Sequence, residues 1–129
     1  MPYIRLQMID WKWLGEELCR RVRGRYGFLL KVEEECLAGR GDVRLCAAYK
    51  ALVRTNPDKY YTLEEWLKDT GLTRDEFRLI KPAWRFSMLK AYYKSINKPR
   101  GNWIIYSLLD YIYAIREGKP FPPASVKRT

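Results

Sequence analysis

Histidine is absent from this 129-residue chain. That removes the commonest general base and every Ser-His or Cys-His nucleophile pair. Cysteine is scarce: Cys19, Cys36 and Cys46 form no CxxC pair, and without histidine they complete no zinc site. An odd count of cysteines without a secretory signal reads as buried or free thiols in a reducing compartment rather than a disulfide framework. Neither GxxxxGK[ST] nor GxGxxG occurs. The clustered acids Glu33, Glu34, Glu35 and Glu64, Glu65 adjoin in sequence, so on a helix they splay instead of pairing as acid and base. Carboxylate-only or metal-dependent chemistry stays open, but the reading is non-enzymatic, with no cofactor and no metal.

Long apolar runs are missing too, so no segment reads as a membrane span. The opening MPYIRLQMIDWKW lacks the basic region and apolar stretch of a secretory signal. The expectation is a protein that stays in, or assembles in, a cytoplasm. What the second half lacks is acid. From Phe77 onward eleven Lys and Arg (Arg78, Lys81, Arg85, Lys90, Lys94, Lys98, Arg100, Arg116, Lys119, Lys127, Arg128) face only Asp110 and Glu117, so this part carries nine of the ten units of net positive charge. The cations are interleaved with Trp84, Phe86, Tyr92, Tyr93, Trp103, Tyr106, Tyr111 and Tyr113, a combination that suits a polyanion partner.

What is abundant is helix-compatible apolar sequence: 47% hydrophobic and 15% aromatic residues exclude a wholly disordered chain, and the length suits one domain. Asp10 reads as the N-cap of a helix over about 11–23, with Glu16 and Glu17 early and Arg20, Arg21, Arg23 late. The cluster Arg20, Arg21, Arg23, Arg25 is either a solvated helix end or a phosphate-facing arm. Residues 26–38 suggest a second helix, with a strand at 26–32 the alternative. Asp42 caps a third, ended by Asn56-Pro57. Thr62 with Glu65 and Thr73 with Glu76 form two capping boxes, the first helix stopped at Gly71. Pro82 is expected to open a separate helix to about residue 97, and Asn102 to cap a last one over 103–117, closed by Gly118. The prediction is an all-α fold: an N-terminal helical arm (1–41), a helical bundle (42–118) and an extended Pro-rich tail (119–129).

On the 82–97 helix, Lys90, Lys94 and Lys98 fall in a stripe about 80° wide, away from Met88, Leu89, Tyr92, Tyr93 and Ile96. Arg78, Lys81 and Arg85 form a second row on the side shared with Leu89, Tyr92 and Ile96, where an arginine snorkels or is held by an anion. A lysine stripe is either a solvated face or a phosphate-facing one, and the near absence of neighbouring acids favours the second. The last helix is apolar almost all round, so it is expected to be buried on several faces. A second subunit or the monomer core would supply the cover. Trp103, Ile105, Tyr106, Leu109 and Tyr113 are the candidate interface residues. Residues 62–81 also resemble a helix-turn-helix, which gives the alternative reading of a small DNA-binding regulator.

Leu89-Lys90-Ala91-Tyr92-Tyr93, a short Gly/Pro/Asn break and an apolar closing helix resemble the major coat proteins of filamentous and rod-shaped viruses of hyperthermophilic archaea, over about Met88 to Gly118. The resemblance implies a helical bundle with an N-terminal arm, paired as a homodimer or as a heterodimer of two related coats. It implies dimers that wrap double-stranded DNA in A-form within a helical virion assembled in the host cytoplasm. Enveloped filamentous members are the nearer match, which implies an envelope contact as well. With it, the expectation is a structural coat protein that binds duplex DNA without sequence preference through Arg20, Arg21, Arg23, Arg25, Lys81, Arg85, Lys90, Lys94, Lys98 and Arg100.

Overall fold

Three helix starts are set by short side chains that satisfy backbone N–H groups the helix itself leaves unpaired. The computed structural model describes residues 29–122, and these form five α-helices: α1 Leu29–Leu37, α2 Val43–Arg54, α3 Leu63–Thr70, α4 Arg74–Tyr93 and α5 Gly101–Glu117. The Asp42 carboxylate accepts the Arg44 N–H at 2.8 Å and opens α2. Thr62 accepts the Glu65 N–H at 3.2 Å while Glu65 accepts the Thr62 N–H at 2.9 Å, and Thr73 and Glu76 repeat this at 3.1 and 2.9 Å. Gly71 ends α3 in the left-handed region at φ 70°, where a Cβ would be strained. The protein is all-α; no strand occurs among the described residues, only an isolated antiparallel bridge between Tyr60 and Arg100. The helix expected at 11–23 lies outside the described residues, as do Arg20, Arg21, Arg23 and Arg25 and the tail beyond Pro122.

Pro82 does not start a helix. It sits inside α4, which runs unbroken for 20 residues. An interior proline forfeits one backbone hydrogen bond and costs about 3 kcal/mol. Pro82 is on the exposed side, however, while Ile80, Ala83, Trp84, Ser87 and Ala91 bury one face on both sides of it. That buried face, held against α2 and α5, carries the helix through the proline.

Asn102 is not a cap either. The helix begins two residues earlier, at Gly101, with Arg100 in the cap position and no side-chain capping bond. The loop after α2 does the work instead: the Gly101 N–H donates to the Lys59 carbonyl at 2.7 Å and the Asn102 N–H to that of Pro57 at 3.0 Å. A Cβ on residue 101 would lie 1.7 Å from the Asn56 carbonyl oxygen, so glycine is required by this close approach.

The core gathers around α2, which packs against each of the other four helices. Trp66, fully buried, stacks on Trp84 (ring centroids 5.0 Å apart, 23° between planes), meets Phe77 edge-on and donates from its indole N–H to the Thr55 hydroxyl at 3.0 Å. Ile104, Ile105, Leu108, Leu109 and Ile112 of α5 close the same core. Helix α1 belongs to it as well, through Leu29, Val32 and Cys36. Residues 29–37 are therefore part of the bundle rather than of a separate arm. Two cysteines expected as thiols are joined: Cys36 and Cys46 form a disulfide between α1 and α2. Ten residues separate them in sequence, a spacing with no signature of its own. A Cβ on Gly41 would lie 2.7 Å from the Cys46 sulfur, so the connecting turn can pass the bridge only without a side chain.

Candidate functional site

The buried side of α4 is not the one the sequence pattern marked for packing, although Lys90 and Lys94 are exposed as expected. Small residues, Ala83, Ser87 and Ala91, let α4 approach its neighbours closely and define the buried side with Phe77, Ile80 and Trp84. Tyr92 and Tyr93, expected to pack, are 75% and 55% exposed. Met88 and Ile96 also reach solvent. Arg78, Lys81 and Arg85, placed by the sequence on the packing side, instead stand on the exposed side opposite the core. They border a groove of about 540 Å³ floored by Pro82, Phe86, Leu89 and Pro122. Phe121 packs edge-on against both Phe86 and Tyr111, which brings the start of the tail alongside this groove.

Lys90 and Lys94 are exposed but not isolated. Their ammonium groups lie 5.9 and 5.7 Å from the Trp103 ring, and that of Lys90 lies 6.0 Å from the Tyr106 ring. Cation–π contact of this kind holds a lysine near an aromatic face without neutralising it. Tyr60 meets the edge of Trp103 at 6.0 Å and completes the aromatic floor. The sequence reading did not include Tyr60, which reaches the site only because the loop after α2 pairs with Arg100. Lys98 and Arg100, expected beside Lys90 and Lys94, are engaged elsewhere: Lys98 pairs with Glu65 at 3.8 Å and Arg100 with Asp58 at 3.0 Å.

Ion pairing sorts the cations. Lys50, Lys59, Arg74, Arg78 and Arg116 each meet a carboxylate, that of Glu76, Asp69, Glu64, Asp75 and Glu35 in turn. Among the described residues Lys81, Arg85, Lys90 and Lys94, all at or within α4, have no carboxylate in reach. The first turn of α4 points the other way electrostatically, with Asp75 and Glu76 at its N-terminus and Arg74 held by Glu64 at 2.8 Å. In a helix-turn-helix that turn contacts base edges between phosphates, where two carboxylates would be repelled.

Of the expected interface residues, Trp103, Tyr106 and Tyr113 are half-buried on the outer side of α5. Ile105 and Leu109 are 1% and 0% exposed and lie in the monomer's own core. The chain covers this ridge itself because α2 and α4 both pack against α5.

Titration away from the cations is set by local hydrogen bonds. Burial pushes the Tyr61 phenol up to about 12, with the Asp69 carboxylate accepting its O–H at 2.8 Å and adding to the rise. The same bond, with help from Lys59, holds the Asp69 carboxyl below its ordinary range. The backbone and side chain of Thr62 do this for Glu65, with Lys98 a smaller contributor. Among the described residues no group of three or more Cys, Asp or Glu side chains converges to hold a metal ion, and no helix is long and apolar enough to cross a membrane. No family model, curated protein or solved structure matches this chain.

Proposed function

We propose that the protein is a structural, non-enzymatic coat subunit that packages double-stranded DNA without sequence preference. One observation carries the reading. Lys81, Arg85, Lys90 and Lys94 are left without carboxylates on a surface that also exposes Tyr92 and Tyr93, while the other cations of α4 and the loop after it, Arg74, Arg78, Lys98 and Arg100, are paired with neighbouring carboxylates. Unpaired cations repel one another, and release of counterions from a nucleic-acid backbone turns that cost into affinity. The resemblance of residues 88–118 to archaeal viral coat proteins supplies the packaging role. The disulfide fits an intracellular assembly in a hyperthermophile, where cytoplasmic proteins do carry disulfides. Pairing with a second copy or a related coat would use the outer side of α5 further along, around Tyr113, since Ile105 and Leu109 are spent on the core and Trp103 and Tyr106 lie under Lys90 and Lys94.

The regulator reading has less support, because the would-be recognition turn is acidic and its arginine is engaged. The test is affinity for several unrelated duplexes across a salt series, with electron microscopy of the mixtures. The expected result is equal affinity for all sequences, a steep fall with salt and filaments on DNA. One duplex bound more than about a hundredfold tighter than the rest, as specific regulators achieve, would replace the coat with the regulator.

A further inference from the structure

The four unpaired cations of α4 and its C-terminal end do not form one patch. Lys81 and Lys90 are nine residues apart, and so are Arg85 and Lys94. At 3.6 residues per turn, nine residues are two and a half turns, which places the second pair roughly 13 Å further along α4 and on its opposite side. The surroundings agree. Lys81 and Arg85 border the groove over Phe86 and Leu89, whereas Lys90 and Lys94 lie over Trp103 at the start of α5.

A single helix laid in a major groove could in principle touch the phosphates on both of its walls. The arc of α4 between the two pairs is not free to enter a groove, however. It carries Pro82, Phe86 and Leu89, and Phe121 is packed against Phe86 with Pro122 beside it. The flank opposite that arc is closed by α2 and α5.

We propose that the subunit has two separate phosphate-binding faces, Lys81 with Arg85 and Lys90 with Lys94, and that it holds two duplex segments at once. This rests on the DNA-packaging reading above and adds bridging to it. The ligand of each face is a phosphodiester backbone: two cations a turn apart on one side meet neighbouring phosphates, and neither face presents a base-reading constellation. The aromatic floor under Lys90 and Lys94 fixes the second face in place, while the first has longer, freer reach from the rim of its groove.

The test uses two short duplexes of random sequence, one immobilised and one fluorescent. Anisotropy reads the binding of a single duplex, and capture of the fluorescent duplex on the immobilised one reads bridging. Wild type is expected to do both. Lys81→Glu with Arg85→Glu, and separately Lys90→Glu with Lys94→Glu, should each keep the helical circular dichroism and still bind one duplex with a shallower salt dependence. Each should lose about tenfold or more in bridging, because one face is reversed in charge. Failure of wild type to bind any duplex removes the packaging reading and the inference with it. Binding without bridging leaves packaging standing and overturns the two-face inference. So does loss of all binding in either double variant, which would mean one site, or bridging that survives in either, which would place the second contact elsewhere.

Discussion

Gly101 has no side chain because the backbone of the preceding loop occupies the space one would need. A methyl group there would meet the Asn56 carbonyl oxygen at 1.7 Å and the Pro57 Cα at 2.9 Å, both backbone atoms that cannot swing aside. Gly101→Ala should therefore force the loop off the start of α5 and break the bonds from Gly101 to Lys59 and from Asn102 to Pro57. The expected loss is about 3 kcal/mol, at the upper end for an overpacked site, read as a lower urea midpoint at unchanged slope. Acid and base sensitivity are also residue-level properties. Asp69, held below its ordinary 3.8 by the Tyr61 hydroxyl and Lys59, contributes stability that is present above that value and disappears as pH falls through its lower folded value. Glu76 behaves alike: burial opposes its ionisation, but the Thr73 N–H and Lys50 outweigh burial and hold it below 4.5. Tyr61 has the opposite sign, since its protonated form is favoured in the fold and its contribution falls away as pH rises from 10 towards about 12. Stability measured against pH should accordingly decline below about pH 4.5 and again above pH 10. Asp69→Asn should flatten part of the acid limb, and an unchanged limb would show that the Tyr61–Asp69 bond contributes little.

At the scale of elements, Pro82 makes the clearest test. Were it the first residue of a helix, alanine in its place would be close to neutral, because the missing N–H there has no partner to lose. Inside a continuous α4 the same change restores a backbone bond, so Pro82→Ala should raise the melting temperature, by up to about 3 kcal/mol of stability. A second element-level outcome follows from α5. Ile105→Lys with Leu109→Lys places two charges in the monomer core, at side chains worth roughly 1.5–3 kcal/mol each by burial alone, and should unfold the chain. Loss of the cooperative thermal transition is the expected readout, and a folded double variant that merely fails to self-associate would return these residues to an interface. The sequence showed what is local: Thr62 with Glu65 and Thr73 with Glu76 span three residues, and both boxes stand where the pattern put them. It did not show which face of α4 packs. That depends on neighbours distant in sequence, which accept Ala83, Ser87 and Ala91 and leave large Tyr92 and Tyr93 outside. It missed the start of α5 for the same reason, since the capping groups come from a loop some forty residues earlier. The Cys36–Cys46 bridge was likewise a matter of the α1–α2 packing rather than of spacing.

The molecule as a whole carries a net charge of +10, and among the described residues eight carboxylates pair with cations outside the two α4 faces. The location of charge on the C-terminal half was legible from the sequence. Which cations remain unpaired was not, because Lys98 and Arg100 find Glu65 and Asp58 only where the loop before α5 meets the first turn of α3 and the loop preceding it. An excess of one sign strains the folded state by self-repulsion, and the strain is screened by salt over a length of about 8–10 Å near physiological strength. Salt should therefore act with opposite signs on two properties of the same protein. Without DNA, raising salt from roughly 50 to 200 mM screens the repulsion among Lys81, Arg85, Lys90 and Lys94 and should raise the melting temperature. With DNA, the same change weakens counterion release, by orders of magnitude in affinity where several phosphates are contacted, and should lower the melting temperature of the complex towards that of the free protein. The two curves are expected to converge at high salt, because DNA stabilises the fold only by the fraction of protein it occupies. Reversing Lys90 and Lys94 to Glu should flatten both curves together, since the same charges create the repulsion and the affinity. A variant that loses the DNA effect yet keeps the full salt stabilisation would separate the two and locate the repulsion away from α4.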